Sequence, residues 1–198
     1  MIAAAPPPAA PDPAARRSLR ARLTGGRLAR AAGRCDVRIY RLLREDAHSA
    51  CMERPIRGFS SLGEHAAVWL ALGATGAAVD APRRGRWLRA ARAVLAAYGL
   101  NTLLKLVVRR KRPALEDLPA LVRTATTLSF PSAHASSSFA AARAYSSLLP
   151  AAPLYVAATA MALSRVYLGV HYPSDVAAGA LLGSAVGAAG RPPAARTA

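Results

Sequence analysis

Between Ala144 and Ser164 the chain runs for 21 residues without a single charged side chain, although its formal net charge is +17 over 198 residues. A helix that crosses a membrane needs about 20 largely apolar residues, because hydrocarbon satisfies no backbone polar group and the segment must satisfy its own. Four further apolar segments flank this one: Ala66–Val79, Ala93–Leu104, Thr126–Ala142 and Val176–Gly190. They approach the spanning length only with flanking Arg or Asp. The last carries Gly179, Gly183, Ser184 and Gly187, small residues that let helix backbones approach closely. No strand-period segment or internal repeat is evident. The pattern predicts an all-α fold, a membrane-embedded helical bundle of about five transmembrane helices, with a soluble helical bundle as the alternative.

The charges sit around these segments. Twelve of the 27 basic side chains fall in the first 64 residues. Residues 1–34 read as a disordered arm, Pro/Ala-rich and then Arg-rich. In 35–58, Val37, Ile39, Tyr40, Leu42 and Leu43 alternate at helical spacing with Arg38, Arg41, Arg44, Glu45 and Asp46. That rhythm predicts one amphipathic helix lying at an interface. Residues 60–190 then form the helical domain, and 191–198 a disordered tail. The excess positive charge admits nucleic acid, anionic lipid and small anionic substrates. Cys35 and Cys51 match neither a disulfide framework nor a metal-ligand spacing, so free thiols are expected. Met1–Ala15 lacks a basic start and a leucine-rich stretch, so membrane insertion is expected from the internal helices.

Chemistry-bearing side chains gather in three blocks. Ser164–Asp175 places Arg165, His171 and Asp175 within eleven residues. Arg165 offers a planar fork of donors for phosphate oxygens. His171 suits base, acid or nucleophile, and Asp175 is placed to fix its tautomer; a buried Arg–Asp pair beside a core histidine is the competing reading. Lys105 and Arg112 stand seven residues apart, which on a continuous helix puts both on one face, either sharing an anion or capping a membrane helix. Phe130–His134 opens the third helix, where free N–H groups and the Ser132 hydroxyl offer an anion pocket and His134 a proton. Arg143 inside that helix is a functional candidate by position alone. Glu116 and Asp117 read as a solvated loop, which leaves no carboxylate cluster for magnesium and no metal site.

In order, the blocks read K-x6-R-P, P-S-x-H and S-R-x5-H-x3-D, each at an end of an apolar helix. This joint pattern resembles the type 2 phosphatidic acid phosphatase superfamily, which also holds bacterial acid phosphatases and vanadium haloperoxidases. The resemblance covers about Ser60 to Gly190, and it departs from the usual Pro-Ser-Gly-His at Ala133, where only a backbone N–H is asked to bind phosphate. It implies a phosphatase that needs no cofactor. His171 would be the nucleophile, Asp175 its orienting partner and His134 the acid and base. Lys105, Arg112, Ser132, Ala133 and Arg165 would bind phosphate. It implies a lipid phosphate substrate and a membrane, and no nucleic-acid partner. Undecaprenyl pyrophosphate, phosphatidic acid and phosphatidylglycerophosphate are candidate substrates. The chain length and the Pro131–Phe139 stretch are similar to the actinobacterial branch acting on decaprenylphosphoryl-5-phosphoribose. A haloperoxidase is disfavoured by the lack of the long extra helical regions such enzymes resemble. A non-enzymatic basic binding protein would leave the three blocks a coincidence. Arginine distribution predicts a multi-pass plasma-membrane protein with its site on the cytoplasmic side.

Overall fold

The computed structural model describes residues 31, 33–46 and 48–190, so most of the expected arm and all of the tail at 191–198 lie outside the described residues. The chain divides into two units, 1–38 and 39–198. The described part of the first is helical over 33–38. The second opens with a helix at 39–45, α1. Six more follow: α2 (Ala50–Ser61), α3 (Ala67–Val79), α4 (Arg84–Val108), α5 (Ala133–Tyr145), α6 (Ala151–Tyr167) and α7 (Pro173–Ala189). Short 3₁₀ turns occupy Glu64–Ala66 and Ala81–Arg83. Among the described residues there is no strand, only two isolated bridges, Lys111 with Leu128 and Leu115 with Leu118.

Several segment boundaries move for identifiable reasons. The single amphipathic helix expected over 35–58 is interrupted at Ser49. There the Ser49 backbone is extended, donating its N–H to the Tyr167 hydroxyl at 3.0 Å and accepting from it at 2.8 Å. Both groups are thus spent outside a helical ladder. The uncharged stretch from Ala144 is also broken: α5 ends at Tyr145, and Pro150, which has no N–H, precedes α6. The third apolar segment becomes helical only at Ala133, because Ser132 is extended and caps α5, its side chain accepting from the Ala135 N–H. Conversely, α4 begins nine residues before Ala93, taking in the Arg-rich stretch. It stops at Val108 because Arg109 turns left-handed at φ 51° and returns its N–H to Lys105 O. Lys105 and Arg112 therefore share no helix face.

One helical stretch among the described residues, Ala81–Val108, is long and apolar enough to cross a membrane. At about 1.5 Å per residue, the helices of 13 and 17 residues are shorter than a bilayer core. Large apolar side chains nevertheless face outward on several helices: Leu95, Leu103 and Leu106 on α4, Val156 and Leu163 on α6, and Leu181 on α7.

α5 runs through the middle of the bundle, packed against α4, α6 and α7. Its Ala and Ser side chains make that position possible. Gly179, Gly183 and Gly187 bring α7 so close that a Cβ at Gly183 would stand 2.1 Å from Ser136 O. The buried hydroxyls are satisfied locally, Ser136 to Ser132 O at 3.0 Å and Ser137 to Ala133 O at 2.9 Å. Trp69 Nε1 donates to Ser138 at 2.8 Å and Asn101 to Ser136 at 2.9 Å, fastening α3 and α4 to the same helix. Tyr145 closes the far end, its hydroxyl donating to Trp69 O at 2.9 Å. Gly183→Ala should therefore cost about 1–3 kcal/mol through overpacking and lower the melting temperature of the detergent-solubilised protein. Gly99→Ala, where nothing stands within 4 Å of the added carbon, should instead raise it slightly.

Candidate active site

Helix ends rather than helix faces build the site. The C-termini of α4 and α6 and the N-termini of α5 and α7 meet at one end of the bundle, around a cavity of about 470 Å³. Lys105 ends α4, and Arg112 follows the turn at Arg109. Arg112 reaches the cavity through an extended hairpin in which its N–H donates to Thr127 O and the Ser129 N–H to Arg110 O. Arg165 lies in the last turn of α6. Gly169, at φ 76°, then reverses the chain so that Val170 N–H returns to Arg165 O and His171 points inward. A side chain at Gly169 would be strained there and would meet the Tyr40 hydroxyl.

Six of the eight predicted site residues, Lys105, Arg112, Ala133, His134, Arg165 and His171, line this cavity. Ser132 and Asp175 are brought alongside but lie behind it, fully buried. Ser132 differs most from expectation. Its hydroxyl accepts from the Ala135 N–H, which caps α5 and leaves its own proton uncommitted, while its N–H donates to Asp175 O at 2.9 Å. Arg143 sits nine residues beyond His134, about 14 Å along α5, and does not line the cavity.

Hydrogen bonding assigns the imidazole nitrogens. Arg112 Nη1 stands 3.1 Å from His171 Nε2; a guanidinium only donates, so Nε2 presents its lone pair and the proton resides on Nδ1. Nδ1 is sealed from solvent, 3.5 Å from Asp175 Oδ2, a charge–dipole contact rather than a tight hydrogen bond. Burial first, then the cations Arg112, Lys105 and Arg165, push the His171 pKa well below the ordinary imidazole value. His134 Nε2 lies 3.1 Å from Ser60 O, which only accepts, so that nitrogen carries a proton and Nδ1 is the one left for chemistry.

The cations are held with capacity to spare. Lys105 donates to Leu128 O at 3.3 Å and Ser129 O at 3.1 Å, two of its three N–H bonds. Arg112 is fixed by Val170 O at 2.7 Å and Thr126 O at 2.8 Å. Its pKa is brought down to about 10, chiefly by burial, which leaves it charged at neutral pH. Arg165 donates to Ser60 Oγ at 2.6 Å, while its Nε is buried with no partner. Three converging cations with unmet donors repel one another unless an anion joins them. Among the described residues no three His, Cys, Asp or Glu side chains cluster as metal ligands.

Two supporting residues escaped the sequence reading. Arg110 donates to Asp175 Oδ1 at 2.9 Å and to Ser174 at 2.6 Å, with its guanidinium 4.2 Å from the centre of the Tyr172 ring. Asp175 Oδ2 meanwhile accepts the Tyr172 N–H at 2.9 Å, capping α7. In the run Arg109-Arg110-Lys111-Arg112 nothing marks Arg110 out, because its partner lies 65 residues away. Ser60 is the other. It receives Arg165 and Ser164 on its hydroxyl and His134 on its carbonyl, yet belongs to no spaced motif.

The depressed His171 pKa has a definite sign. Below about pH 6.5 the unfolded chain takes up a proton that folded His171 refuses, so this residue makes the protein less stable as pH falls. Nitrogen-15 NMR should find His171 still neutral, with its proton on Nδ1, at pH 6. A fully protonated imidazolium at that pH would contradict the geometry.

Residues 86–191 match the PAP2 superfamily. The decaprenylphosphoryl-5-phosphoribose phosphatase of Mycobacterium tuberculosis is 46% identical over 149 residues, 71% of this chain and 82% of that protein. The enzyme of the same name from Mycolicibacterium smegmatis is 46% identical over 125 residues, 62% and 68% of the two chains. Among solved structures, Aquifex aeolicus LpxE superposes with a TM-score of 0.69 at 27% identity, over 78% of this chain and 93% of that one. The transmembrane PAP2-type phosphatidylglycerolphosphate phosphatase of Bacillus subtilis gives 0.62 at 26% identity, over 79% and 82%. With its three motif blocks converging on one cavity and with these relatives, the chain belongs to the PAP2 superfamily.

Proposed function

We propose that this phosphatase hydrolyses the phosphate monoester of a polyprenyl-linked sugar phosphate, decaprenylphosphoryl-5-phosphoribose, through a phosphohistidine. The observation that carries the mechanism is the His171 Nε2 lone pair, held 3.1 Å from Arg112 in a cavity that Lys105 and Arg165 also line. Substrate phosphate binds among those three cations, with the Ala133 N–H at the start of α5 as a further donor. His171 Nε2 attacks phosphorus, the P–N bond forms and the bond to the leaving alcohol breaks. Asp175 stabilises the positive charge that develops on the ring. His134, protonated when substrate binds, passes its Nδ1 proton to the leaving oxygen while Nε2–H stays on Ser60 O. The neutral His134 then takes a proton from water, whose oxygen attacks phosphorus and releases inorganic phosphate and His171. Charge gathering on the equatorial oxygens meets fixed donors at each step.

The substrate is supported by the 46% identical mycobacterial relatives of that name. Helices α3 to α7 form the multi-pass body, a reading supported by the outward Leu and Val side chains. The site end faces the cytoplasm by the positive-inside tendency, because the six basic residues from Lys105 to Arg123 fall in the stretch that borders the cavity.

Purified protein in EDTA should release phosphate from decaprenylphosphoryl-5-phosphoribose faster than from phosphatidic acid or undecaprenyl pyrophosphate. His171→Ala should abolish turnover, and His134→Ala should lower kcat by about 10²–10⁴-fold. Preference for the pyrophosphate would keep the mechanism and replace the substrate, whereas full activity in His171→Ala would remove the phosphohistidine.

A further inference from the structure

The cavity is larger than a phosphate needs. Five heavy atoms fill a minor share of about 470 Å³, a volume in the range of sites that enclose a whole small molecule. Beyond Lys105, Arg112 and Arg165 the wall includes the 123–126 segment and, along α4 and the turn before α3, the polar side chains of Glu64, His65, Tyr98 and Thr102. Tyr98 and Thr102 precede Lys105 on one face of α4 at helical spacing, which sets Tyr98 about 10 Å along the axis from the ammonium. The His65 Nδ1 and the Tyr98 hydroxyl are hydrogen-bonded at 2.9 Å.

This wall is held at a cost. His65 and Ala66 both lie in the left-handed region, at φ 52° and 61°, a conformation that non-glycine residues adopt rarely. The turn presents Glu64 and His65 to the cavity. Glu64 is also misplaced for an anion site, since a carboxylate repels a phosphate bound beside it. It fits a group that donates hydrogen bonds. The Thr102 hydroxyl gives its proton to Tyr98 O at 3.0 Å and is left, like the Glu64 carboxylate, to accept, so the two can take the O–H protons of a vicinal diol.

On the reading that this cavity binds a phosphate monoester, we infer that Glu64, His65, Tyr98 and Thr102 form a subsite for the hydroxyl groups of the leaving alcohol. It selects a phosphorylated sugar over a glycerolipid phosphate. Glu64, His65 and Thr102 are exposed at this wall, so the preference comes from the hydrogen bonds that the sugar hydroxyls add rather than from buried groups left unmet.

The test uses the full chain in detergent carrying His171→Ala, so that ligands are bound and not consumed. Ribose 5-phosphate and ethyl phosphate are titrated against it by calorimetry. Ribose 5-phosphate should bind about tenfold or more tightly than ethyl phosphate. Adding Tyr98→Phe or Glu64→Gln should weaken ribose 5-phosphate about tenfold more than ethyl phosphate, whose retained binding shows that the variants fold. Equal affinity for the two phosphates, or equal weakening of both, overturns the subsite. Absence of phosphatase activity of the wild-type chain on the phosphoribose lipid, with this binding preference intact, would instead remove the lipid assignment and leave the subsite standing.

Discussion

The contact between α5 and α7 governs the rest of the molecule. Where Gly179 and Gly183 lie on the Ser132 and Ser136 carbonyls, two helix starts are locked side by side, and the Ser132 N–H to Asp175 O bond joins them directly. His134 departs from one start and Asp175 from the other. A side chain at the contact would push apart the two halves of the chemistry along with the helices. Close packing of small residues supplies the attraction there, because Gly, Ala and Ser let the two backbones approach and bring many atoms into van der Waals contact. The central helix, Ala- and Ser-rich and buried on nearly all sides, is suited to that demand.

From this contact the electrostatics follow in layers. Asp175 is buried, held by Arg110 on one oxygen and by the Tyr172 N–H on the other. It therefore stays in place beside His171 without a tight bond to it. Burial, and then the cations on the other side of the ring, keep the imidazole neutral, while Arg112 fixes the side on which its Nε2 lone pair lies. The loop that carries His171 needs outside support, and here α1 supplies it. Tyr40 donates to Gly169 O at 3.3 Å, and the buried Arg44 joins Tyr167 O at 2.9 Å to Pro119 O at 2.8 Å. The amphipathic segment thus acts as a clasp across the site loops as well as a surface helix.

Legibility varied with the range of the interaction. The three motif blocks were readable because each is local: the residue types and spacings sit within a dozen positions, and six of the eight residues do line one cavity. Arg110 and Ser60 were not, since their partners lie 65 and up to 105 residues away and no local pattern records such pairings. Helix bounds failed where a tertiary partner claimed the backbone. Tyr167 took Ser49 out of the amphipathic helix, and Arg109 turned α4 short of Arg112. The fourth apolar segment shows the limit of counting uncharged residues, because α5 ends within it at Tyr145 and α6 starts only after Pro150.

The sequence by itself determined the helical class, the close-packing glycines and most of the groups that line the cavity, because these depend on residue type and short spacing. The tertiary structure alone decided which groups face the cavity. Ser132 was turned into a cap, Lys105 and Arg112 converge from a helix end and a hairpin, and His171 was given its tautomer. Those outcomes depend on where backbone carbonyls from distant segments fall, and a donor commits to whichever acceptor the fold brings within about 3 Å.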